Sequence, residues 1–146
     1  MSGLFRRNIW IIGSSIIAKA EKHTTQRPTG KNIGLDKNGL NVVWAGLPGM
    51  KISALVPLVQ AMVNCFGFPH ALVIHCRSND IGMGSIREVL KHLIYATFIV
   101  SKMLPNSLLI YSQILPRKWC TLVFFWGNDI FINAIQCGLE QFALPC

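Results

Sequence analysis

Apolar residues fall in short runs along the chain, alternating with stretches at helical spacing. Asn8 to Gly13 is rich in Ile and Trp with little polar alternation, the pattern of a strand buried on both faces. Ser14 follows with a hydroxyl suited to capping a helix over Ile16 to His23. Thr24 to Gly39 is turn chemistry, with Arg27-Pro28-Thr29-Gly30 and Asp36-Lys37-Asn38-Gly39 as its clearest parts. A second strand is predicted over Asn41 to Ala45, closed by Gly46-Leu47-Pro48-Gly49, and a helix over Ile52 to Cys65. After Pro69 comes a third strand, Ala71 to Cys76, which empties into Arg77-Ser78-Asn79-Asp80. Ser85 to Met103 carries the firmest helical pattern, opened by Ser85 with Glu88 three residues on, a capping-box spacing. Pro105-Asn106 turns the chain into a fourth strand, Ser107 to Leu115. Trp119 to Trp126 is an aromatic run without a clear period. Asn128 to Phe142 reads as a last amphipathic helix, with Ile130, Ile132, Ile135, Leu139 and Phe142 as its apolar members. Strand–helix alternation of this kind predicts a parallel sheet with helices on both faces and right-handed crossovers.

Composition narrows the class. A chain of 146 residues is one domain at most. Hydrophobic residues make up 51% and charged residues only 14%, so a buried sheet, a membrane segment or an uncovered apolar face is implied. No apolar run reaches the roughly twenty residues a membrane span needs. Lys102 and Pro105 interrupt the run from Leu93, and Gly127, Asn128 and Asp129 break the one from Trp119 to Ile135. Met1 to Ile17 is a poor leader sequence, because its apolar patch is short and no cleavage site follows. The net charge of +8 is spread thinly, without the clustered face and interleaved aromatics of a nucleic-acid footprint. The 5 cysteines show no C-x-x-C and no metal-ligand spacing with the 4 histidines. No metal or other cofactor is expected, and the unpaired thiols suit a reducing, cytoplasmic setting.

The strand ends carry the candidate chemistry. Gly13-Ser14-Ser15 leaves the first strand, Gly46-Leu47-Pro48-Gly49 the second and Arg77-Ser78-Asn79-Asp80 the third. In order and placement these resemble the first three blocks of the SGNH (GDSL-type) hydrolases, over essentially the whole chain. More narrowly, Pro105-Asn106-Ser107-Leu108-Leu109-Ile110 and Ser112-Gln113-Ile114-Leu115-Pro116-Arg117 resemble the SGNH-type domains of mobile-element open reading frames. The resemblance implies a flavodoxin-like three-layer α/β/α sandwich and acyl transfer on a small-molecule ester. Ser15 would be the nucleophile, and the N–H groups of Ser15 and Gly49 with the Asn79 amide would hold the oxyanion.

The same resemblance marks what is missing. The family draws its base and orienting carboxylate from a late Asp-x-x-His, but no histidine follows His92 here. Ser14 stands where the family has Asp, and Arg77 where it has Gly. The chain is therefore expected to be a single SGNH hydrolase-like domain over 1–146, incomplete at its carboxyl end, with 118–127 replacing a longer segment. Loss of a triad base costs several orders of magnitude in rate. Efficient ester hydrolysis is not expected, and the uncovered apolar surface of a shortened sheet invites self-association. Two other readings stay open: an active serine esterase with an unconventional base such as His75, and a small membrane-associated protein.

Overall fold

The computed structural model describes residues 7–75, 85–114, 120–126 and 129–133. The first strand, β1 (Arg7–Gly13), leads into helix α1 (Ser15–Thr25), and β2 (Leu40–Gly46) follows the long turn region. Helix α2 (Leu55–Phe66), strand β3 (Ala71–His75), helix α3 (Ile86–Met103) and strand β4 (Leu108–Ile114) complete the alternating part. Two further strands come next, β5 (Cys120–Trp126) and β6 (Asp129–Asn133). The sheet order is β2-β1-β3-β4-β5-β6. Strands β2, β1, β3 and β4 are mutually parallel in the flavodoxin-like order, and β5 and β6 are antiparallel additions at one edge.

The layers follow from side-chain alternation. Trp10 and Ile12 of β1, Leu72 and Ile74 of β3, and Leu109 and Tyr111 of β4 point to one face. There they pack against Leu55, Val59 and Met62 of α2 and Leu93, Ala96 and Val100 of α3. Helix α1 lies on the opposite face, where Ile17 is buried against Gly13. The chain is thus an α/β/α sandwich, with α1 alone among the described helices on its second face. That face is the more lightly covered: Ile9 and Ile11 of β1 are half-buried, not enclosed as their apolar run predicts.

The free edge of β2 is covered by the preceding turn region. Asn32 Oδ1 accepts the Val42 N–H at 3.0 Å, and the Trp44 indole donates to the Lys31 carbonyl at 2.7 Å. Blocking edge donors in this way removes a template for pairing with another chain. It holds Ile33, next to Asn32, at φ 48, a left-handed backbone that costs a β-branched residue about 1–2 kcal/mol.

The carboxyl end departs from the sequence-based expectation. Residues 129–133, expected to open the last helix, form strand β6, and the aromatic run before them is strand β5. The reason is local: Ile130, Phe131 and Ile132 favour extended backbone, and β5 supplies a hydrogen-bonding partner through register pairs such as Phe124↔Phe131. Residues 115–119 join β4 to β5, too few for a crossover helix, so the strand returns antiparallel. The remainder of the expected helix, 134–142, lies outside the described residues. Among the described residues no helix is long and apolar enough to cross a membrane.

Local signals set the other helix starts. The α3 capping box forms as its spacing predicts: Ser85 Oγ accepts the Glu88 N–H at 3.3 Å and Glu88 Oε2 accepts the Ser85 N–H at 2.9 Å. Pro57 sits in the first turn of α2, where its missing N–H leaves no bond unmade. The backbone hydrogen bond from Ser85, then its side-chain hydrogen bond, hold the Glu88 carboxyl below its ordinary value of 4.5, with the His92 charge adding and desolvation opposing. A carboxylate depressed on folding stabilises the native state above its unfolded pKa, and that contribution disappears as pH falls through the folded value. Ser85→Ala is expected to lower stability by about 1 kcal/mol. Glu88→Gln should lower the urea midpoint near neutral pH and leave it unchanged well below pH 4.5, where both variants carry an uncharged side chain.

Candidate functional site

The carboxyl ends of β1, β2 and β3 meet in one row. Gly13 pairs with Gly46 on one side and with His75 on the other. A Cβ on Gly13 would stand 2.4 Å from both the His75 carbonyl oxygen and Ile17 Cγ1, so no side chain fits. A Cβ on Gly46 would stand 2.3 Å from the Ala18 amide nitrogen of α1. The two glycines let the start of α1 sit low against the sheet, with its unpaired N–H groups at the strand ends.

Ser14 is the N-cap residue and is buried. Its carbonyl accepts the Ile17 and Ala18 N–H groups at 3.0 and 3.2 Å. Its hydroxyl makes no capping hydrogen bond, contrary to the expectation from sequence, although the cap backbone is extended at φ −83 and ψ −156. Ser15 is the first residue of α1 and is exposed, at the positive end of the helix dipole.

The second loop is tied to the first. Leu47 N–H donates to the Gly13 carbonyl at 2.8 Å, across the same row. Met50 N–H then donates to the Leu47 carbonyl at 3.0 Å, closing a turn with Pro48 and Gly49 at its centre. Gly49 has φ 74, which with proline before it gives a type II turn. A Cβ there would meet nothing within 4 Å, so this glycine is required by its backbone angle and not by crowding. The structure thus carries Ser15 and Gly49 on neighbouring loops of one sheet edge, linked through Gly13. Arg77, Ser78, Asn79 and Asp80 lie outside the described residues.

The histidines separate clearly. His23 is in the last turn of α1 and His70 precedes β3, both at the opposite end of the strands. His92 is on α3, in the layer across the sheet from α1. His75 is the one described histidine at the edge that carries Ser15, and it is buried, with Nδ1 3.4 Å from Ser112 Oγ. Ser112 follows Tyr111, which pairs with Ile74, so His75 and Ser112 are the next step of the same ladder. From sequence His75 stands only as an unconventional base, and Ser112 beside it is not identified; the equal offset of the two residues in adjacent strands is the available signal.

Among the described residues, carboxylates are sparse at this edge. Glu21 is in the second half of α1, Asp36 in a short 3-10 turn before β2, and Glu88 caps α3. Asp129 opens β6 opposite Trp126, at the far end of the strands, and not the last helix as expected. No group of three or more metal-ligating side chains occurs among the described residues. A groove of about 340 Å³, lined by Ile52, Ser53, Val56, His92, Tyr95 and Ile99 among others, runs between α2 and α3, on the other side of the sheet from α1.

No family model matches the chain, and no curated protein matches it.

The two loop glycines are expected to differ in kind. Gly46→Ala must displace α1 backbone and should cost more than about 2 kcal/mol, as overpacking does. Gly49→Ala meets open space and should cost only the left-handed penalty of about 1–2 kcal/mol. Urea unfolding of both variants checks the order.

Proposed function

We propose that the chain is an SGNH hydrolase-type domain that keeps a serine cradle around Ser15 and does not hydrolyse esters efficiently. Ser15 would present its hydroxyl at the start of α1, and the N–H groups of Ser15 and Gly49, with the Asn79 amide, would face a developing oxyanion. Preorganised donors of that kind are worth about 3–4 kcal/mol each in hydrolases. A serine hydroxyl still needs an oriented base to lose its proton near neutral pH. The observation that carries the reading is the engagement of His75: its Nδ1 lies 3.4 Å from Ser112 Oγ, inside the sheet. The described acids whose positions are given above sit elsewhere, so no described carboxylate is offered to orient a base for Ser15.

A second reading rests on that same contact. His75 and Ser112 form a serine–imidazole couple one strand away, and an active esterase would run through Ser112, or through His75 turned toward Ser15. A fluorophosphonate probe, which labels only activated serines, separates the readings. The proposal expects no stable adduct, and turnover of a short-chain ester equal in the parent and in Ser15→Ala. A stoichiometric adduct mapped to Ser15 and abolished by Ser15→Ala would refute it. An adduct at Ser112 would move the activity to the second pair.

A further inference from the structure

Helix α3 has more apolar surface than its core contacts use. Leu93, Ala96, Thr97 and Val100 are buried on its inner side. On the outer side Leu90, Ile94 and Phe98 recur every fourth residue, so they form one continuous stripe, and Tyr95 stands beside it. Ile94, Tyr95 and Phe98 are 60%, 66% and 52% exposed. In a doubly wound sheet the crossover helix after β4 would flank α3. Here β5 pairs antiparallel with β4, and among the described residues no helix takes that place.

Cations outnumber acids on the outer side, Arg87, Lys91 and Lys102 against Glu88. Arg87, Lys91 and Lys102 are exposed on the same turns as the stripe, and the Lys102 ammonium lies 5.3 Å from the centre of the Phe98 ring. That contact places a cation at the rim of an apolar surface, as lysines sit at a membrane interface. The one acid of α3, Glu88, is held by the capping box. The whole chain carries +8.

We propose that the outer face of α3 is a peripheral membrane-binding surface for anionic lipid: Leu90, Ile94, Tyr95 and Phe98 enter the headgroup region while Arg87, Lys91 and Lys102 meet lipid phosphates. An amphipathic helix with basic residues beside large apolar ones binds in this way, in the plane of the interface and without spanning. A second copy of the chain fits less well, because a two-fold contact along this stripe would set Arg87, Lys91 and Lys102 against the same cations. The inference stands apart from the chemistry of Ser15.

Flotation of the full chain with vesicles tests it, using phosphatidylcholine alone and phosphatidylcholine mixed with phosphatidylserine. The chain should float with the mixed vesicles and not with the neutral ones, and raised salt should release it. Ile94→Ser/Phe98→Ser and Lys91→Glu/Lys102→Glu should each weaken flotation more than about tenfold. All of these side chains are exposed, so both variants should keep the thermal transition of the parent. Failure to float, equal flotation with both vesicle types, or flotation unchanged in both variants overturns the proposal. A concentration-dependent dimer that Ile94→Ser/Phe98→Ser dissolves, without flotation, also overturns it and assigns the stripe to self-association.

Discussion

The entry of α1 at the strand ends is the constraint on which the candidate site depends. A helix can start there only if the strands beneath it carry no side chains at the point of approach. Gly13 and Gly46 meet that condition in adjacent strands at matching register. With the helix seated low, its first-turn N–H groups and the Ser15 hydroxyl reach the sheet edge, and the Leu47 amide can bond across to Gly13. The turn bearing Gly49 follows from that bond. Were either glycine replaced, the helix would lift away and the loops would lose their common anchor.

The edge chemistry is uneven. Donors for an anion are present: helix N–H groups at α1 and a loop held by a type II turn. A proton acceptor aimed at Ser15 is a separate requirement, and the described imidazole at this edge is packed in the sheet beside Ser112. Stabilising an oxyanion and generating a nucleophile are different tasks, and residues suited to the first do not supply the second. That division underlies the proposal of a hydrolase-type cradle with little turnover.

Much of the fold was legible in the sequence where periodicity and capping agreed. The β1, β2 and β4 patterns, the capping box at Ser85 and the turns around Gly39 and Gly49 all mark elements that form at or within a residue or two of the expected positions. The carboxyl end was misread because Ile130 and Ile132 suit a strand face as well as a helix stripe, and only the neighbouring β5 decides between them. Local pattern also could not reveal that the Ser14 hydroxyl leaves the helix uncapped, or that His75 faces Ser112. Both depend on which side chain the fold brings within reach. That Ser14-Ser15 and Gly46 to Gly49 leave two strand ends was readable; the Leu47 to Gly13 bond that ties them together was not.

Hydrogen exchange at the Leu47 amide tests the central claim most directly. If α1 is seated against the two glycines, the Leu47 N–H is bonded to the Gly13 carbonyl and should exchange only with the opening of the sheet, as slowly as the amides of β1. Exchange at the rate of an open loop would mean that the two loops are not joined, and the account of a shared cradle would fail.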